Sequence, residues 1–274
     1  MTSTMPEPVT YDAMLPVPFV APPVNPSPGG LYPATLWTEE GDGPTRWLDS
    51  GVEIRGGNYS DGQASGVWGA PWCPPPALDG ERKEGVRPDI LDPFDPITVW
   101  AYDQCDLTAP SRAEVSERAA QILRLEEQPA AEREFAERLL ADAAALPGGI
   151  ASVADLAAAV GQIEATFALT NTVGYIHAGA QWLAPLTEVR MVSRSGTNWV
   201  SPAGHRWIFG GGYVEGLDDT FVATSQPFGW RNSAVIREAI DERANIFAAV
   251  AERSLVIGYE AAVAAVAITP EPTP

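Results

Sequence analysis

The sequence predicts an α+β protein in which extended, helical and strand-rich stretches follow one another along the chain. Three observations carry this. Ten of the 26 prolines fall in residues 1–45 and seven more by Pro96, which excludes long helices from the first hundred residues. From Ser111 to Phe167 the apolar residues recur at helical spacing. From Thr172 on, short β-branched and aromatic runs between turn residues replace that period.

Residues 1–45 read as an extended arm. It carries Leu15, Phe19, Leu31, Tyr32, Leu36 and Trp37, anchors that disordered linkers lack. A segment that cannot build a core of its own needs a surface elsewhere to bury such side chains, and Leu15, Phe19, Leu31, Trp37, Trp47, Trp68 and Trp72 are therefore expected at subunit contacts. Fully extended, the arm spans up to ~150 Å, against a radius of gyration of ~17 Å for the remaining body. It is long enough to lie across a neighbour, or to wrap its own domain.

Residues 46–105 read as a long hairpin with its lead-in strands and a Gly/Pro-rich tip at VWGAPWCPPPALDGERKEG, returning through DPFDPITVWAYDQC. Ser111, with Glu114 three places on, predicts a capping box opening a helix along Val115, Ala119, Ile122 and Leu123. Pro129 is expected in the first turn of a second helix, with Phe135, Leu139, Leu140 and Ala143 as its stripe and Pro147-Gly148-Gly149 as its stop. A third helix, from Ser152, buries Val153, Leu156, Val160, Ile163 and Phe167. Then come a strand at VGYIHAG, a short helical AQWLAPL, a strand at TEVRMVS, and a hairpin of TNWVS with HRWIFGGGYV. TFVATSQ is a further strand. The run from Asn245 to Ile268 predicts two strands around a bend at Gly258.

Composition narrows function. With net charge −19 over 274 residues, the chain repels phosphate backbones, so free nucleic acid is a poor ligand. An acidic surface also suits a wall that encloses nucleic acid without adhering to it. No apolar run approaches the ~18 residues of a membrane span, and the first residues, MTSTMPEPVT, lack a signal-peptide pattern, which leads us to expect cytoplasmic synthesis. Cys73 and Cys105 read as two lone thiols. His177 and His205 are the only histidines, with no HExxH or GxSxG around them; His177 reads as a packed strand residue and His205 as an exposed turn residue. Gly210-Gly211-Gly212 lacks the GK[ST] ending of a phosphate loop and reads as a hairpin or bulge. No catalytic residue, cofactor or metal site is expected, and the chain is read as a self-assembling building block, not an enzyme.

Three passages carry a resemblance to a known family. SRAEVSERAAQILRLEEQPAAEREF is similar to the long spine helix and its continuation in capsid proteins of phages of actinobacteria. TNWVSPAGHRWIFGGGYVEG is similar to a strand–turn–strand segment of that family, and NIFAAVAERSLVIGYEAAVAAVAI to its closing strands. In this order they resemble tailed-bacteriophage major capsid proteins of the Hong Kong 97 type. The resemblance implies an N-arm over 1–45, an extended loop with lead-in over 46–105, the spine helix and the helix after it over 106–150, a mainly axial domain over 151–240, and closing strands of the peripheral domain with the tail over 241–274. It implies copies of the chain forming hexamers and pentamers of an icosahedral virion shell around double-stranded DNA, bound without sequence specificity. Partners would be a separate scaffold, a portal and possible decoration proteins, with no membrane. Some family members link an extended-loop lysine to an asparagine; Lys83 lies in that region, with Asn198, Asn232 or Asn245 as partners, although a lysine beside Glu81 and Glu84 reads as an ordinary surface charge. Two other readings stay open: an encapsulin-like nanocompartment shell, and a carbohydrate-binding or glycan-cleaving domain using the nine tryptophans.

Overall fold

The computed structural model describes residues 19–39, 46–59, 63–69, 73 and 82–269. The first of these segments runs extended into a 3-10 turn at Tyr32–Ala34 and strand β1 (Leu36–Glu39), and helix α1 (Arg46–Ser50) follows. The described parts of 51–96 contain no regular strand. The two legs of this limb meet at its base, where Val52 and Phe94 exchange both backbone hydrogen bonds at 2.9 Å. Further out, Val86 N–H donates to the Gln63 carbonyl at 3.3 Å. Among the described residues the expected hairpin is thus a limb with two touching legs and little ladder, since proline removes donors and glycine leaves little side chain to pair.

Strand β2 (Ile97–Cys105) leads to helix α2 (Ala109–Ala144). The two helices expected on either side of Pro129 are one helix of 36 residues, ~54 Å long. A proline inside a helix costs ~3 kcal/mol. An unbroken i, i+4 row (Val115, Ala119, Leu123, Glu127, Ala131, Phe135, Leu139, Ala143) crosses it and is buried along its whole length. Burial of Val115, Leu123, Phe135 and Leu139 alone is worth roughly 6–12 kcal/mol, so packing outweighs the proline. The expected capping box at Ser111 is not formed: the helix opens at Thr108, whose N–H and hydroxyl donate to Asp106 at 2.9 and 2.7 Å, with Pro110 in the first turn.

The chain continues through β3 (Ala151–Val153), α3 (Leu156–Thr170), β4 (Tyr175–Gly179), α4 (Leu183–Glu188), β5 (Ser193–Ser195), β6 (Asn198–Val200), β7 (Arg206–Gly210), α5 (Tyr213–Gly216), β8 (Thr220–Thr224), β9 (Phe228–Arg231), β10 (Val235–Asp241), β11 (Ile246–Gly258) and β12 (Ala262–Ile268). Helix α3 is capped by Asp155, whose carboxylate accepts from Ala158 N–H at 2.8 Å, and Val153 falls on β3 instead of in the helix. The hairpin around Pro202 is β6 paired with β7, and the two last strands flank Gly258 as expected. TEVRMVS divides: Thr187 and Glu188 close α4, and a strand resumes only at Ser193.

Two sheets result. In the first, the 13-residue β11 pairs β2 along one edge and β10 and β9 along the other, and β9 carries β1 in parallel. The second has the order β3-β12-β8-β4-β7-β6-β5. Helix α2 and the Leu31 segment close a core on the first sheet, and α3 closes a core on the second. The division expected at residue 240 is drawn differently by these pairings: β9 and β10 join the first sheet, and β12 joins the second, pairing β8 and β3.

Candidate assembly surfaces

The N-terminal stretch is held along α2 by a polar row that sequence reasoning passed over. Gln121 Nε2 donates to the Val24 carbonyl at 2.7 Å, Arg124 to Asn25, and Gln128 Nε2 to the Gly29 carbonyl at 2.8 Å, while Glu132 accepts from Leu31 N–H at 2.9 Å. Positions 121, 124, 128 and 132 lie on one helical face. That spacing is the signal that could have found them: a polar stripe beside the apolar one. Glu132 is fully buried and also accepts from Gly212 N–H at 2.8 Å, and burial raises its carboxyl above the ordinary range. Next to it, Tyr32 Oη and Arg253 Nη1 both donate to Glu127, at 3.0 and 3.0–3.1 Å.

Gly210-Gly211-Gly212 is neither a hairpin nor a bulge. It turns β7 into α5 against α2, where a Cβ on Gly212 would meet the Pro129 carbonyl oxygen. Glycine is needed there for close backbone approach.

The limb is anchored at its base by both legs. On the return leg, Arg138 donates to the carbonyls of Asp92 and Pro93 at 2.7 and 3.0 Å, stacks 4.1 Å over Phe94 and pairs Asp142 at 2.9 Å. On the outgoing leg, Asn58 gives two hydrogen bonds to Glu260, at 2.6 and 2.7 Å. Beyond these anchors Val67, Trp68 and Val86 are exposed, and Lys83 Nζ sits 5.1 Å from the Trp68 ring centre.

The face of the first sheet turned away from α2 is open. In β11 the buried Phe247, Ala249 and Ala251 point to the helix, so Ala248, Val250 and Glu252 point outward. Register puts Tyr102 beside Val250 and Trp100 beside Glu252 on that outer face, with Arg237 and Val235 on the other side. Trp100 is 64% exposed and Tyr102 44%.

The residues expected at subunit contacts are thus scattered. Leu15 and Trp72 lie outside the described residues. Phe19 (85%) and Trp68 (40%) are exposed. Trp37 is half-buried, its Nε1 donating to the Tyr32 carbonyl at 3.0 Å under the Arg231 guanidinium. Leu31 and Trp47 need correction: both are buried in this chain's own core and leave no surface for a neighbour. Among the described residues the arm is tied to this chain's own α2 from Val24 on and enters the core at Leu31. Of the asparagines considered for Lys83, Asn198 accepts from Arg206 and Asn232 from Ser254 N–H within the chain.

Both histidines are buried. For His205 this overturns the expected exposure: its ring stacks on Phe167 at 4.2 Å and accepts from Gly174 N–H at 3.3 Å. His177 lies 2.9 Å from the Thr224 hydroxyl and 3.0 Å from Tyr213 Oη. Thr224 donates its one proton to the Ser225 carbonyl, so His177 donates to it through Nε2 and accepts from Tyr213 through Nδ1. Burial lowers the His177 pKa to about 3. The unfolded chain, at about 6.5, binds that proton first, so stability present above pH 6.5 is lost as pH falls toward 3. Between pH 6.5 and 5 the loss from this group is about 2 kcal/mol. Urea unfolding at a series of pH values should show His177→Gln with a shallower acid slope, whatever its baseline stability; an unchanged slope overturns the assignment. Glu132 acts in the opposite sense, its raised pKa favouring the fold on acidification, so the comparison isolates His177.

Among the described residues no group of three His, Cys, Asp or Glu side chains is arranged to hold a metal ion, and no helix is long and apolar enough to cross a membrane. No protein-family description matches the sequence, and no curated protein matches it. Solved structures do match. The capsid of an empty GTA particle aligns with TM-score 0.54 and 9% identity, over 96% of each chain. A protein of Microbacterium phage Oxtober96 aligns with TM-score 0.50 and 10% identity, over 94% of this chain and 96% of that one. The holo-SrpI encapsulin of Synechococcus elongatus PCC 7942 is more distant, at TM-score 0.44 and 10% identity over 68% of this chain and 81% of that chain, and carries no weight here. The shared property is fold: two mixed sheets and a long helix in the α+β arrangement of phage capsid proteins.

Proposed function

We propose that this chain is a major capsid protein that assembles with copies of itself into hexamers and pentamers of an icosahedral phage head enclosing double-stranded DNA. The observation that carries the reading is the likeness to the capsid of the empty GTA particle over 96% of both chains. A limb with exposed Val67 and Trp68, an exposed Phe19 and the open Trp100/Tyr102 face give it surfaces to assemble with. In this reading α2 is the spine helix, residues 51–96 the extended loop, the first sheet the peripheral domain and the second sheet the axial domain. The charge of −19 suits a wall around DNA. Scaffold and portal proteins, and decoration proteins where the head carries them, would be separate chains, and the protein would be made in the host cytoplasm and reside in the virion. Electron microscopy of the purified protein or its parent particle should show closed shells of uniform size holding nuclease-protected DNA. Shells filled with an enzyme would instead make it a nanocompartment. A monomer with sugar-dependent tryptophan fluorescence would overturn the assembly reading, although only Trp68 and Trp100 are exposed among the described tryptophans.

No covalent ladder is expected between subunits. Boiled, reduced particles should run as one band near 29.2 kDa. A ladder that disappears in Lys83→Ala would give Lys83 a cross-linking role.

A further inference from the structure

Strand β10 has an open outer edge. Among the described strands it pairs only β11, every one of its seven residues is exposed, and its register runs from Val235 to Asp241 without a bulge. VIREAID has no lysine, proline or bulge, and its charges, Arg237, Glu238 and Asp241, are of both signs, so they discriminate between partners and registers. We propose that this edge is a β-augmentation site for β10 of a second copy, paired antiparallel about a two-fold axis at Ala239; this rests on the shell-building reading and adds a specific contact to it.

Charge selects the register. Centred on Ala239, Arg237 of each copy faces Asp241 of the other, Glu238 faces Ile240, and the two small Ala239 side chains meet at the axis. Centring on Glu238 sets two carboxylates opposite each other, and centring on Arg237 sets two guanidinium groups opposite each other. Among registers that keep both outer faces on one side, only the one centred on Ala239 has opposite charges paired and no like charges facing. Residues of equal parity then oppose, so both outer faces lie on one side and both α2 helices on the other. The two β11 strands would be three strand spacings apart, ~14 Å, and packed helices need only ~8–10 Å. The two helices fit side by side.

The test is cysteine cross-linking in a Cys73→Ser, Cys105→Ser background, since both native thiols are exposed. Ala239→Cys should give a disulfide-linked dimer on a non-reducing gel, because directly opposed Cβ atoms lie ~4.5–5.5 Å apart. Glu238→Cys should stay monomeric on that gel. A dimer from Glu238→Cys without one from Ala239→Cys overturns this register, and a dimer from neither overturns the pairing. Charge reversal gives a second readout. Arg237→Glu or Asp241→Arg alone should lower self-association at least tenfold in sedimentation, and the double variant should restore most of it. The repulsion that Arg237→Glu creates with Glu252, its partner on the same chain, persists in the double, so restoration reports the contact between copies. Failure of the two readings separates in micrographs. Closed shells without an Ala239→Cys dimer remove the β10 pairing alone, and a protein that never forms shells removes the capsid reading itself.

Discussion

Deletion of residues 1–45 is expected to leave a chain that does not fold, whereas deletion of residues 1–18 should keep the melting temperature within a few degrees of the full protein. The longer deletion removes Leu31, which is fully buried, and with it the N–H that Glu132 accepts from. It also removes Tyr32 from the Glu127–Arg253 pair and takes away β1, the parallel partner of β9. Losing one large core side chain costs ~2–5 kcal/mol, and losing the hydrogen bonds that Leu31 gives Glu132 and Tyr32 gives Glu127 costs ~1.5–3 kcal/mol each. Together these reach the whole stability of an ordinary domain, ~5–15 kcal/mol. Residues 19–30 are exposed on the way to Leu31, apart from a partly covered Gly30, so a cut before Phe19 leaves every described core residue in place. Circular dichroism melts of the two truncations decide the matter. A 1–45 deletion that melts like the full chain would mean that the Leu31 segment contributes nothing to the core.

The second large effect is expected at the open sheet face. Trp100→Ala with Tyr102→Ala should leave the melting temperature of unassembled protein almost unchanged and raise the assembly threshold at least tenfold. Both side chains are exposed in the single chain, so the fold loses little when they are cut back. A large aromatic buried at a contact is worth ~2 kcal/mol or more, which is a factor of about 30 in affinity, and a shell repeats the contact at each copy. Patches of this kind on a free subunit also invite aggregation unless a partner covers them. Light scattering against protein concentration, with calorimetry on unassembled subunits, measures both quantities. An unmoved threshold would mean that the face stays open in the assembly; a collapsed melting temperature would place these rings in the fold's own packing.

Much of the architecture was legible in order and type. The extended start, the helical middle, the β6–β7 hairpin and the last two strands all follow from proline placement and apolar period. The candidate surfaces were read less well. Of the side chains expected at contacts, Trp68 and Phe19 are exposed while Leu31 and Trp47 turn inward, and Trp100, on the open face, is not among those expected. Aromatic identity says that a side chain needs cover and nothing about which chain supplies it. The polar row at Gln121, Arg124, Gln128 and Glu132 was visible as a stripe, but its use depends on a backbone about a hundred residues away.

The sequence by itself determined where regular structure can start and stop, because glycine, proline and side-chain period act within one or two turns of the chain. It also determined the acidic charge and the lack of recognisable catalytic motifs. Only the tertiary structure decided that Pro129 is carried inside one 36-residue helix, that His205 is buried under Phe167, and that β11 and β12 part into different sheets. Each of those outcomes is a competition between a local preference of a few kcal/mol and the burial of a whole row or sheet face. The winning terms, such as the Leu31–Glu132 hydrogen bond across 101 residues, join positions that no short window of sequence contains.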